Sequence, residues 1–439
     1  MKKILFVENR YRTGVWKCLA SALREDGCEI RWIVENHLFA PEPEYGPALV
    51  IPYPSEKDLE KAEPYQSQYL PSSDRAINYF GLRGTRHYGY YFAAIREYLE
   101  KEKPDVVFGE STAFHELICI DACQRLGILY LHPSTCRYPT GRFAFYRYNT
   151  LEPWGGSNET LEDAAAQVQI DAIAARAIIP DYMKKKKGSF RTRMERLSDL
   201  LFLCHCYYGG EHYHTPSPFR KICLDRKLKQ WIVRWDQAVR RKFSAIEENA
   251  VKILYPLQMQ PEANLDIWGN PYRDQAALIS EILAHTPEDV LLVVKANPKT
   301  KYEFTDELLK LVETQKRIIP VPRDTSMGAV LPKVQLIITV TGTIAIECIL
   351  SGKPVLTLIK TLNNTVSACP YLEHLSQLPN YLNQIREGTF PLASLREKID
   401  FFNLLNRTSY PGYPYENILR DPEGQAKVLA AFRSLVNPL

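Results

Sequence analysis

The chain contains no apolar window approaching the ~18–20 residues of a membrane-spanning helix. A helical channel or transporter is therefore not expected. Its first residues, Met1-Lys-Lys-Ile-Leu-Phe-Val-Glu8, do not read as a signal peptide, because the apolar run is short and a charge follows it directly. Ten cysteines are scattered without paired spacing. No disulfide framework is expected, and reduced thiols in a cytoplasm fit best. An excess of one charge is also lacking. A net charge of +4 over 439 residues argues against nucleic acid as the main partner. There is no internal repeat and no low-complexity tract.

What is present is the composition of a globular protein, 45% hydrophobic and 24% charged. The length exceeds one ordinary core and predicts two domains. Lys2 to Val7 reads as a buried parallel strand, Gly14 to Asp26 as a helix and Cys28 to Val34 as a second strand. After a Pro- and Glu-rich insertion from Pro41 to Leu70, the spacing predicts helix Tyr90 to Glu102, strand Pro104 to Phe108, helix Phe114 to Leu126 and strand Ile128 to Leu131. From about Glu152 to Ala250 the pattern turns helical. The alternation then resumes with strands at Ile253 to Tyr255, Val290 to Lys295, Ile318 to Val321, Leu336 to Val340 and Pro354 to Leu358. Strands alternating with helices predict doubly wound parallel sheets. The expected organisation is an α/β domain over 1–245 with helical elaboration, a second α/β domain over 246–400 facing it across a cleft, and a helical segment, 401–439, packing back on the first.

Three segments of the second domain carry the chemistry: Tyr255-Pro-Leu-Gln-Met-Gln-Pro-Glu262, Val294-Lys-Ala-Asn-Pro298 and Thr339-Val-Thr-Gly-Thr343. Each follows a predicted strand, at the edge where open parallel sheets bind ligands. The third runs into the apolar helix Ile344 to Leu350. A Thr-Gly-Thr turn there offers backbone N–H groups and hydroxyls to an anion. Together they predict a site for a phosphate-bearing ligand.

These motifs, with Asp274-Gln275, Glu347 and Gly352-Lys-Pro-Val355, resemble the capsule polysaccharide biosynthesis family of bacterial surface-glycan enzymes. That family is related to the transferases that build β-linked Kdo, an eight-carbon acidic sugar, from CMP-Kdo. The resemblance covers roughly Val251 to Leu358. It implies a GT-B glycosyltransferase with two Rossmann-like doubly wound domains, the second holding the nucleotide-sugar. The implied partners are a nucleotide-sugar donor and a glycan or glycolipid acceptor of the bacterial surface (capsule or lipopolysaccharide), with no cofactor. Where the family carries His before Pro298, this chain has Asn297, which can donate a hydrogen bond but carries no charge.

The resemblance makes Glu262 the first catalytic candidate, as nucleophile or as electrostatic stabiliser of an oxocarbenium-like centre. The alternative is a solvated loop Glu. Gln260, Lys295, Asn297, Thr341, Gly342 and Thr343 are the donor-binding candidates. Against them stand an ordinary helix cap and a solvated lysine, or Lys295 paired with Glu262. Glu347 is read either as a partner of donor hydroxyls or as a helix-face carboxylate. In the first domain Glu110 is the candidate general base on an acceptor hydroxyl, or a residue capping the next helix. His115 and His132 are read as structural. No metal is expected: the chain has no Asp-X-Asp pair, and Cys204-His-Cys206 with His212 and His214 matches no common zinc spacing. The basic run Lys184 to Arg196 is either a solvated loop or a surface for an anionic membrane leaflet. The expected location is the cytoplasm, including the inner face of its membrane. The alternatives in function are a sugar-nucleotide epimerase of the same architecture and a non-catalytic glycan-assembly binding protein.

Overall fold

The computed structural model describes residues 1–67, 70–180, 193–242 and 250–438. The chain divides into two compact units. The first comprises Met1–Thr160, Pro180–Lys221 and Leu404–Leu439, the second Leu161–Ile179 and Ile222–Asn403.

In the first unit, β1 (Lys3–Val7), β2 (Glu29–Val34), β3 (Ala48–Val50), β4 (Val106–Phe108), β5 (Leu129–Thr135) and β6 (Arg142–Arg147) form one sheet with the late strand Tyr410–Pro411. Strands β3, β2, β1, β4 and β5 lie side by side and parallel; β6 returns antiparallel to β5, and Tyr410–Pro411 antiparallel to β6. Helices cover a parallel sheet, so the residues from Ile4 to Val7 are all buried. The chain leaves β1 toward β2 on one side and returns to β4 on the other. In open α/β sheets such a reversal point, beyond the carboxyl ends of β1 and β4 here, is the usual place for a ligand. The core packs Phe6 and Trp32 with Phe108 and Phe432, the last from the C-terminal helix Pro422–Val436.

The second unit carries a sheet of β7 (Val251–Pro256), β8 (Val290–Lys295), β9 (Ile318–Val321), β10 (Leu336–Thr339) and β11 (Val355–Thr357), in the order β11-β10-β7-β8-β9 and parallel throughout. Its reversal point lies between β7 and β10. The Glu262 loop follows β7 and the Thr-Gly-Thr turn follows β10, so both stand at the ligand-binding edge of an α/β sheet.

The expected boundary near residue 245 falls earlier, because the helix Pro218–Lys242 commits its aromatic face to the second core. Trp235 is fully buried there, donates its indole N–H to the Val321 carbonyl (3.2 Å) and stacks on Phe304 at 5.0 Å. The helix Asp163–Ala174 also belongs to the second unit, packing against Ile344–Ser351. The structure adds β3, β6 and Tyr410–Pro411 to the expected strands. β3 is a short, half-exposed edge strand within the Pro-rich insertion, and Tyr410–Pro411 is two residues long, so neither carries a period. No helix among the described residues is long and apolar enough to cross a membrane. The basic run lies outside the described residues up to Thr192; its last four residues open the helix Arg193–Tyr208.

Candidate functional site

The loop after β7 is held by its own glutamines. Gln275, at the start of the helix Gln275–Ala284, accepts from the Tyr255 hydroxyl (3.2 Å) and the Gln258 N–H (2.9 Å). It donates to the Gln258 carbonyl (2.9 Å) and to Gln260 Oε1 (3.1 Å). Gln260 in turn donates to Asp266 (2.9 Å) and to the Arg273 carbonyl (3.2 Å). Both ends of the buried Gln260 amide are thus engaged inside the protein. It shapes the loop that presents Glu262.

The turn after β10 is fixed from beneath by Thr339, whose Oγ1 accepts from the Gly342 N–H (3.2 Å) and from Gln258 Nε2 (3.1 Å). A Cβ on residue 342 would fall 2.6 Å from Thr339 Oγ1 and 3.2 Å from Gln258 Nε2, which only glycine avoids. Thr341 donates to the Asn264 carbonyl (3.2 Å), and Asn264 Nδ2 donates to Glu262 (3.4 Å). One chain of contacts therefore joins half-buried Glu262 to the Thr-Gly-Thr turn. Thr343 stands at the N-cap of Ile344–Ser351, and its carbonyl accepts the Ile346 N–H (3.1 Å).

The other candidates occupy different surroundings. Lys295 is buried and gives its ammonium to the carbonyls of Ala296 (3.1 Å) and Arg323 (3.5 Å). Burial pulls its pKa down, with Asp324 opposing. It forms no ion pair with Glu262 among the described residues. Asn297 closes a local turn, its Oδ1 accepting from the Lys299 N–H (2.8 Å), and its amide N–H groups have no partner among the described residues. Glu347 is buried against Arg176, a residue from the segment that follows the helix Asp163–Ala174. It is therefore not a solvated helix-face carboxylate; Arg176 holds it. Behind the loop, Glu303 is almost fully buried. Its Oε2 accepts the N–H groups of Lys301 (2.9 Å) and Gln260 (3.4 Å), while Oε1 has no hydrogen-bond partner among the described residues. Burial pushes this carboxyl up to about 7, those N–H groups pulling the other way.

In the first unit a carboxylate follows each of three parallel strands: Glu8 after β1, Glu35 after β2 and, one glycine on, Glu110 after β4. Glu110 is ion-paired with Arg12. Burial raises its pKa against the pull of Arg12. The helix Phe114–Leu126 is capped by Glu116, which takes the N–H groups of Thr112 (3.0 Å) and Ala113 (2.8 Å). Capping is therefore not the task of Glu110. Glu8 accepts the N–H groups of Arg10, Glu35 (3.2 Å) and Asn36 (3.0 Å). Burial drives Glu35 well above the carboxylate range, and Glu8 and Glu211 add to the rise. Arg10 pairs with buried Glu211 and reaches Thr215. An open cleft of about 620 Å³ beside Arg10 is lined by Lys17, Phe39, Glu42 and Arg420 among others. His132 is buried with its ring nitrogen at the Thr150 carbonyl (3.3 Å) and its pKa is pulled down to about 4 by burial. All ten cysteines are free thiols.

The residues that sequence reasoning passed over are Glu8, Glu35, Arg176 and Glu303. Glu8 and Glu35 had a signal, a Glu directly after each apolar strand. Arg176 and Glu303 had none.

The profile of the family described as "Capsule polysaccharide biosynthesis protein" matches residues 166–365. Comparison with curated proteins by sequence gives no match. Among solved structures, the chain is similar to the β-Kdo 2,7 transferase KpsC of Thermosulfurimonas dismutans, at 10% identity and TM-score 0.39, covering 94% of this chain and 93% of that one. It is also similar to the UDP-GlcNAc 2-epimerase of Methanocaldococcus jannaschii, at 14% identity and TM-score 0.28, covering 92% and 99%. A third is MurG of Acinetobacter baumannii, at 11% identity and TM-score 0.28, covering 100% of each chain.

Proposed function

We propose that this chain, whose residues 166–365 match the capsule polysaccharide biosynthesis family, is a glycosyltransferase. It moves a sugar from a nucleotide-activated donor, either CMP-Kdo-like or a UDP- or GDP-sugar, to a surface glycan or glycolipid. The second unit holds the donor. Thr341, Gly342, Thr343 and the amide of Asn297 meet the phosphate, Lys295 adds positive charge, and no metal bridges that phosphate. Glu262 acts at the anomeric carbon, and the first unit takes the acceptor.

The observation that carries this reading is the contact chain from Glu262 through Asn264 to Thr341, at the reversal point between β7 and β10. A carboxylate and an anion-binding turn held in one frame are what cleavage of a sugar–phosphate bond requires. The carboxylate meets charge developing on the sugar, and the turn meets charge on the departing phosphate.

Thermal shift with CMP, UDP, GDP and dTDP tests the donor site. One nucleotide should stabilise the protein, by about 2.7 kcal/mol at 100 times its dissociation constant. Stabilisation by none of them would refute the donor site.

A further inference from the structure

We propose that Glu35, His115 and His214 of the first unit form a binding site for one divalent transition-metal ion of the zinc class. One ligand atom from each lies within 4.8 Å of the others, the only such group of His, Cys, Asp and Glu among the described residues. Two imidazoles and a carboxylate are a common ligand set for that class of ion. This inference is independent of the donor-site reading, which concerns the second unit.

The second observation is that each of the three residues has a buried polar atom with nothing else to bind. Glu35 Oε1, His115 Nδ1 and His214 Nδ1 are all buried and lack a hydrogen-bond partner among the described residues. Glu35 and His115 are 2% and 1% exposed, so water outside the protein does not serve them. Three buried orphaned atoms on three neighbouring side chains would each cost free energy unless something binds them.

The surroundings are those of a metal ligand set. His115 Nε2 is 2.8 Å from the Glu8 carbonyl, which can only accept, so Nε2 carries the proton and the lone pair belongs to Nδ1. A backbone carbonyl on the far nitrogen is the usual way in which a metal-binding imidazole is oriented. The Glu8 carboxylate is fixed by three N–H groups beside the cluster. Arg10, which with Arg75 faces His214, is neutralised by Glu211. The three ligands come from the end of β2, the start of the helix Phe114–Leu126 and the turn after Arg193–Tyr208. A bound ion would tie that turn to the strand edge. Cys204 and Cys206 are not among its ligands.

The full-length protein, stripped with a chelator, is titrated with Zn²⁺ by calorimetry and with Co²⁺ by visible absorption. One saturable equivalent is expected. His214→Ala and Glu35→Gln should each weaken it by more than about 100-fold, beyond the ~10–100-fold cost of losing an outer partner of a metal ligand. His214 is only partly buried, so His214→Ala is the variant best placed to keep its fold, which circular dichroism checks. Cys204→Ser/Cys206→Ser should leave the affinity unchanged. No saturable binding, unchanged affinity in a folded His214→Ala, or a thiolate-to-Co²⁺ charge-transfer band lost in the cysteine variant would each overturn the site.

Discussion

Replacing Glu303 by Gln makes a prediction whose size follows from its environment. The folded carboxyl sits at about 7 against an ordinary value of 4.5, raised by burial. A raised acid favours the protonated fold. Its contribution is fully present below the unfolded pKa and is lost as pH rises through the folded one. Integrating the linkage between pH 5 and pH 8 gives a loss of about 2.5 kcal/mol in the wild type from this group alone. Gln cannot titrate. It keeps an oxygen to accept the Lys301 and Gln260 N–H groups, and its NH₂ replaces the oxygen that has no partner. Chemical denaturation at pH 5, 6, 7 and 8, read as wild type against Glu303→Gln, cancels every other titrating group. The variant should gain relative to wild type as pH rises, by about 2.5 kcal/mol across the range. Parallel curves would refute the reasoning, because Glu303 would then ionise alike in both states.

Two further outcomes follow from the same site. Gly342→Ala drives a methyl to 2.6 Å from Thr339 Oγ1; displacing the turn should cost about 1–3 kcal/mol of stability and abolish the nucleotide-induced thermal shift. Arg176→Ala removes the ion-pair partner of the buried Glu347 carboxylate and should cost about 2–4 kcal/mol, discounted for the partial exposure of Arg176. The double variant with Glu347→Ala should cost less than the sum of the two singles in a denaturation cycle.

Much of the second unit is legible because a parallel strand buried on both faces leaves an uninterrupted apolar run. Val290–Lys295 and Ile318–Val321 coincide with the expected strands for that reason. The polar residues that follow β7 and β10 mark the carboxyl ends of those strands with equal clarity. What pairs across sequence is not legible. Spacing on the helix Ile344–Ser351 places Glu347 one turn after Thr343, but nothing in it points to Arg176, 171 residues earlier. Glu303 lies in an aperiodic loop, and its burial depends on the chain from Gln260 folding over it. Trp231 and Trp235 read as helix, yet helical spacing does not say which of two cores takes the apolar face. In the first unit Glu8 and Glu35, like Glu110, lie just beyond apolar strands. Nothing in that position points to the His115 and His214 rings that the fold brings to Glu35.

In the proposed reaction Glu262 acts on a sugar whose phosphate is held by the Thr-Gly-Thr turn. The most direct measurement pairs nucleotide affinity by calorimetry with the rate of nucleotide release from the matching donor and acceptor, for wild type and Glu262→Gln. Glu262→Gln should leave the affinity unchanged and lower the release rate by at least about 100-fold, the smaller end of what a group at the reacting atoms contributes. A Glu262→Gln protein that releases nucleotide at the wild-type rate would contradict it.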